Sequence, residues 1–139
     1  VAAGPAHLLD AFASAPPPGI RLARLSVAGA FHTDAMAPAV DEFARAVADA
    51  DVTAATSPMV GNGDGALVRD PDDLRRRLLT QLTSPVRWDL CTATIATLAP
   101  SATHVELAPA GPLTRLLTRA RPGARAVPLL TPADVAQVT

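Results

Sequence analysis

The side chains of this chain suited to proton transfer or nucleophilic attack are His7, His32 and His104, the serines 14, 26, 57, 84 and 101, and Cys91. His32 stands apart by its setting, Gly29-Ala30-Phe31-His32-Thr33-Asp34. Thr33 is an N-cap residue type and Asp34 suits a first helical turn, so the imidazole is expected just outside a helix N-terminus. The positive pole there favours the uncharged ring, the form that accepts a proton. A general base of this kind requires a nucleophile within hydrogen-bond reach. None of the serines has glycine both two residues before and two residues after it, so no nucleophile elbow is visible. All twelve cationic residues are arginine, which excludes lysine-based Schiff-base chemistry for this chain. The histidines and Cys91 are scattered rather than spaced as ligands, so no metal site is expected.

The elements that position His32 follow from periodicity. Met36, Val40, Phe43 and Val47 recur at four, three and four and predict one helix face after Thr33. Pro38 falls in its first turns, where proline is tolerated. Met59-Val60 reads as the end of a short strand and Gly61-Asn62-Gly63-Asp64-Gly65 as a loop. Pro71, Asp72 and Asp73 open a helix with Leu74, Leu78 and Leu82 on its apolar side. Ser84-Pro85 breaks it, and Trp88, Cys91, Ile95 and Leu98 predict the next helix, with Cys91 a buried apolar residue. His104 to Leu107 reads as a strand, Pro112 to Ala120 as a helix and Ala126 to Leu130 as a strand. Before these, Val1-Ala2-Ala3-Gly4 reads as the tail of a strand and His7 to Ala13 as a short helix. That helix stops at Pro16-Pro17-Pro18-Gly19, and Ile20 to Val27 reads as a half-buried strand. Alternation of strands and helices from residue 29 onward implies an α/β fold with parallel pairing across crossover helices.

Bulk properties narrow the function. The chain has 139 residues, the size of one domain, with 49% hydrophobic and 18% charged residues, a globular composition. Net charge is -1 and no basic cluster stands beside aromatic residues, so nucleic acid is not an expected partner. No apolar run is long enough to cross a membrane, and no charged-then-apolar segment opens the chain. With Cys91 as the sole cysteine, a reducing, cytoplasmic setting is the expectation.

Several segments, taken in order, resemble the malonyl-CoA:acyl carrier protein transacylases. Val27 to Thr33 followed by Met36-Ala37-Pro38 is similar to the family's segment around its active-site histidine. Asn62 resembles its strand-end asparagine, and Gln81-Leu82-Thr83-Ser84-Pro85-Val86-Arg87-Trp88 resembles a second block. Val105-Glu106-Leu107-Ala108-Pro109 with Leu113-Thr114 resembles its late glutamate-leucine-glycine-proline-glycine segment. Ala108-Pro109-Ala110 departs from that last pattern, with Gly111 one place later, and a turn needing positive φ directly after proline would be strained by alanine. The resemblance covers nearly the whole chain as the C-terminal half of such an enzyme.

The resemblance implies an α/β-hydrolase-like large subdomain with an inserted ferredoxin-like small subdomain. Residues 1–28 would be the end of the insertion and 29–139 the C-terminal part of the large subdomain. The family's first half, with the nucleophilic serine, the oxyanion donors and the malonate-binding arginine, is expected before Val1 or on another polypeptide. That leaves Arg87 a structural role. His32 would be the catalytic base, oriented by the backbone carbonyl at Gln81. Phe31 and Asn62 would contact substrate, Phe31 by filling the space that an α-methyl of methylmalonyl would occupy. No cofactor is implied. The partners would be malonyl-CoA, an acyl carrier protein and the N-terminal half, acting in fatty acid or polyketide synthesis. Two alternatives stand beside this: a non-catalytic carrier-protein docking or scaffold fragment, and an acyltransferase domain of a modular polyketide synthase. Thr131-Pro132-Ala133-Asp134-Val135, similar to the short tail of a discrete enzyme, disfavours the latter.

Overall fold

A computed structural model describes residues 1–25 and 27–138. The chain divides into two compact units, Val1–Cys91 and Thr92–Thr139.

The first unit is mainly helical. Helix α1 (Ala6–Ser14) follows Pro5 and buries none of its residues. Neither Val1 to Gly4 nor the described part of Ile20 to Val27 forms a strand, and Ser26 lies outside the described residues. Alternation supplies the pattern of a strand but not the neighbour whose ladder would hold it. Ile20, Leu22 and Leu25 are accordingly exposed, and an Arg24–Asp10 ion pair ties the segment to α1.

The helix expected after Thr33 forms in two pieces. A 3-10 segment, Asp34–Ala39, contains Pro38, and α2 (Val40–Asp49) continues it. Proline has no N–H to give to a carbonyl one turn back, so the α register begins only beyond it. Met36, Val40 and Phe43 are half-buried and Val47 is buried, which is the face that periodicity predicted. The Met59-Val60 strand is reduced to one antiparallel bridge, Val60 to Leu67, closing the loop between them.

Helix α3 (Pro71–Thr80) starts as its sequence dictates, with Pro71 in the first turn and Asp70 accepting from the Asp73 amide at 2.7 Å. Its most buried side chain is an acid: Asp73 is 1% exposed. Asp73 accepts from the Arg69 amide and from the side chains of Arg69, Arg76 and Arg77. The Arg69 amide, ahead of the guanidinium groups, holds this carboxyl below the usual range against the opposing effect of burial. Helix α4 (Trp88–Leu98) carries Cys91, which is buried, and crosses the boundary between the units.

The second unit is a βαβ unit. Strands β1 (His104–Glu106) and β2 (Ala126–Pro128) pair in parallel, with His104 opposite Ala126 and Glu106 opposite Pro128. Helix α5 (Pro112–Ala120) connects them, as the alternating pattern predicted, though both strands are shorter than expected. Leu117 and Val127 are its buried hydrophobic residues among those described. Around them the apolar surface stays open, with Leu107 74% and Leu130 64% exposed. The positive φ of the turn falls at Gly111 (127°) and not at Ala110, so the displaced glycine relieves the strain that the alanine would carry.

Glu106 fixes the start of α5. Its carboxylate accepts from the amides of Gly111 at 2.8 Å, Leu113 at 2.9 Å and Thr114 at 2.8 Å, which a helix N-terminus leaves without partners. Desolvation pushes its pKa up, but the bonds from Thr114, Leu113 and Gly111 outweigh it and bring the value down to about 2. After β2, a 3-10 segment (Pro132–Gln137) is closed by a capping box between Thr131 and Asp134.

Two predictions follow from these anchors. Leu117→Ala should destabilise the second unit by about 2–5 kcal/mol, measured by urea unfolding. Because the folded pKa of Glu106 lies below its ordinary 4.5, its contribution is complete above that pH and disappears as pH falls towards 2. Thermal melts across that window should show the wild type losing its stability advantage over Glu106→Gln; a constant difference would remove Glu106 from the anchoring role.

Candidate functional site

His32 adopts φ 64°, the left-handed region that residues with a Cβ rarely enter. Flanking bonds hold it there. Thr33 Oγ1 donates to the Ala30 carbonyl at 2.7 Å and accepts from the Ala35 amide at 3.3 Å, closing the turn on both sides. The His32 amide donates to the Leu82 carbonyl at 3.0 Å. Its ring Nδ1 lies 2.7 Å from the Gln81 carbonyl oxygen. One histidine therefore takes two consecutive carbonyls by backbone and by ring.

Those carbonyls are available because α3 ends there. Leu82, expected on the apolar side of the helix, lies beyond its last residue, Thr80. The chain leaves the helix through tightened i to i+3 bonds, Leu82 amide to Leu79 carbonyl and Thr83 amide to Thr80 carbonyl, both 3.3 Å. The carbonyls of the last helical turn and just beyond have no partner within the helix. A carbonyl only accepts, so in the neutral ring Nδ1 is the nitrogen that carries the proton and Nε2 the one with the lone pair. The helix expected directly after Thr33 begins as a 3-10 segment, and the ring's contact is with the carbonyl of Gln81, the position at which the resemblance put the orienting group.

Gln81 has a second role. Its side-chain Oε1 accepts from Asn62 Nδ2 at 3.0 Å. The structure thus brings together three of the four predicted site residues, His32, Gln81 and Asn62. The fourth, Phe31, adjoins His32 and is 49% exposed. Asn62 and Gln81 also line a cleft of about 250 Å³ with Gly63, Asp64, Arg77 and Ser84. The loop carrying Asn62 is held from below: Arg77 donates to Asp64 at 2.6 Å, and each group's pKa is moved by that bond first, Asp64 down and Arg77 up. Gly61 makes this possible, because a Cβ there would stand 2.5 Å from Arg77 Nη1.

The remaining candidates serve other ends. Cys91 Sγ donates to the Gly61 carbonyl at 3.4 Å, and burial pushes its thiol pKa up, away from the thiolate a nucleophile requires. Arg87 is held in a two-point pair with Asp89, at 3.0 and 2.7 Å, so its fork is already occupied. His7 is exposed on α1, and His104 stands in β1 of the second unit. Sequence reasoning missed the left-handed His32, the Leu82 carbonyl and the Asn62–Gln81 bridge. The periodicity of α3 masked the second by counting Leu82 as a helix residue.

No protein-family model matches the chain. It is 41% identical over 97% of its length to the malonyl CoA-acyl carrier protein transacylase of Mycolicibacterium smegmatis, covering 48% of that protein. It is 43% identical over 97% of its length to the enzyme of the same name from Mycobacterium tuberculosis, covering 44% of it. The crystal structure of MCAT from Mycobacterium tuberculosis matches 97% of the chain with a TM-score of 0.87 at 41% identity, through 44% of that structure. The chain thus spans a little under half the length of these relatives, and the likeness agrees with an α/β acyltransferase fold. On this homology the chain belongs to the malonyl CoA-acyl carrier protein transacylase family and corresponds to the C-terminal portion of its members.

Proposed function

We propose that the chain supplies the general base for transfer of a malonyl group from malonyl-CoA to the phosphopantetheine thiol of an acyl carrier protein, in fatty acid or polyketide synthesis. The observation that carries this reading is the 2.7 Å approach of His32 Nδ1 to the Gln81 carbonyl, which leaves Nε2 free to take a proton. The names of the relatives support the reaction. The nucleophilic serine belongs to the counterpart of the relatives' N-terminal portion. In this assignment residues 1–28 are the end of a ferredoxin-like small subdomain, and 29–139 are the C-terminal part of an α/β-hydrolase-like subdomain. The exposed apolar side chains, Leu107 and Leu130 among them, support a surface that the N-terminal portion covers.

The chemistry has two half-reactions. Nε2 takes the serine hydroxyl proton as the oxygen attacks the malonyl thioester carbonyl. The tetrahedral intermediate collapses to the malonyl-serine ester, and the C–S bond breaks. The departing CoA sulfur receives the proton held on His32. In the second half-reaction, His32 takes the proton of the carrier thiol, whose sulfur attacks the ester, and returns it to the serine oxygen. The Gln81 carbonyl keeps the ring in one tautomer through both and stabilises it while it is charged. Phe31, beside the base, sets the space at the α-carbon of the acyl group.

His32→Ala in the complete enzyme should slow acylation of the serine by malonyl-CoA by about 10²–10⁴-fold, read by intact-protein mass spectrometry at short times. Acylation at the wild-type rate would take His32 out of the mechanism. Phe31→Ser should raise the preference for methylmalonyl over malonyl by roughly tenfold or more, the scale of one methyl group in a packed site. An unaltered preference ratio in competition assays would discredit the steric role.

A further inference from the structure

The bond that orients His32 comes from a weakly held stretch of backbone. Past α3, the Leu82 and Thr83 amides make i to i+3 bonds of 3.3 Å, at the long end of the hydrogen-bond range, while the Gln81 amide reaches the Arg77 carbonyl at 3.0 Å. The peptide that carries the Gln81 carbonyl is held at its own N–H, that of Leu82, by a long bond only, and can rotate that carbonyl away from the ring. Gln81, however, is also gripped by its side chain, and the grip comes from 19 residues away: Asn62 Nδ2 donates to Gln81 Oε1 at 3.0 Å.

Asn62 is well placed to hold something else still. Its carbonyl accepts from the Arg87 amide at 2.8 Å. The preceding residue is bonded at both ends, with the Gly61 amide donating to the Ala66 carbonyl at 2.9 Å and its carbonyl accepting from the Gly65 amide at 3.0 Å. Arg77 and Asp64 brace the loop from α3. We propose that Asn62 is a positioning residue for His32, acting through the side chain of Gln81 to hold the residue-81 carbonyl against Nδ1. This rests on the reading of His32 as the base. It assigns Asn62 to the machinery that sets the tautomer, with its amide donor engaged by the protein rather than offered to substrate.

Amide chemistry gives the test its discrimination. Each of the two side chains carries a donor and an acceptor, so the bridge survives a reversal in which Gln81 donates and residue 62 accepts. Asn62→Asp keeps an acceptor and retains the bridge in that sense. Asn62→Leu keeps the approximate size and loses it. Gln81→Ala removes the side chain while leaving the backbone carbonyl in place.

The readout is the tautomer of His32 in the 139-residue chain, measured from imidazole ¹⁵N shifts. Asn62→Leu and Gln81→Ala should each lower the ratio of Nδ1–H to Nε2–H forms by roughly two- to tenfold, the range of one orienting hydrogen bond. The double variant should lower it no further, because both changes cut the same link. Asn62→Asp should hold the wild-type ratio. A purely structural role would change the melting temperature and leave the ratio alone. An unchanged ratio in Gln81→Ala, or in Asn62→Leu with native circular dichroism, overturns the proposal. The measurement involves neither serine nor thioester, so its failure is separate from failure of the proposed base role, which the His32→Ala acylation assay decides.

Discussion

A ring nitrogen 2.7 Å from a carbonyl oxygen is the constraint around which the first unit is arranged. A histidine in solution exchanges freely between two neutral tautomers, and only one leaves Nε2 able to accept a proton. The end of a helix serves because its last carbonyls have no partner within the helix. Everything from the Thr33 turn to the tightened exit of α3 bears on where that oxygen stands. The same residue's amide takes the adjacent carbonyl, so ring and backbone are registered against one short segment.

Buried or shielded carboxylates do comparable work at the starts of helices. Asp73 gathers an amide and three guanidinium groups in the first turn of α3, and Glu106 gathers three amides ahead of α5. The donors on Glu106 are amides that a helix terminus would leave to water, while those on Asp73 are the amide ahead of the N-cap and three guanidinium groups; in each case they converge on one anion. The arrangement ties helix starts to loops in a chain with few buried apolar side chains: Val47, Cys91, Leu117 and Val127 are the buried hydrophobic residues among those described.

Much of this was legible in the sequence. The βαβ order of the second unit and the bounds of α5 follow from periodicity and from Pro112, and the pairing of His32 with position 81 follows from the resemblance of their two segments. What escaped was set by contacts that have no local signature. Ile20 to Val27 alternates as a strand would, but no ladder forms among its described residues. Leu82 continues the helical spacing of Leu74 and Leu78, yet Thr80 is the last helical residue, because the chain there tightens and turns. The Asn62–Gln81 bridge joins positions that no period relates, and Asp73, which reads as an ordinary helix-opening acid, is buried and paired with three arginines. Short-range pattern gives element type. Partners across the fold decide where elements stop and which polar groups are enclosed.

The handedness of the backbone at His32 bears on which replacements are informative. The histidine already carries the cost of a left-handed residue, about 1–2 kcal/mol, and an alanine keeps that cost while losing the ring's bond to Gln81, which lets the loop relax as the imidazole is deleted. Asparagine visits that region readily. His32→Asn would therefore discard the proton acceptor while sparing the bend, and comparing it with the alanine form divides lost chemistry from lost shape.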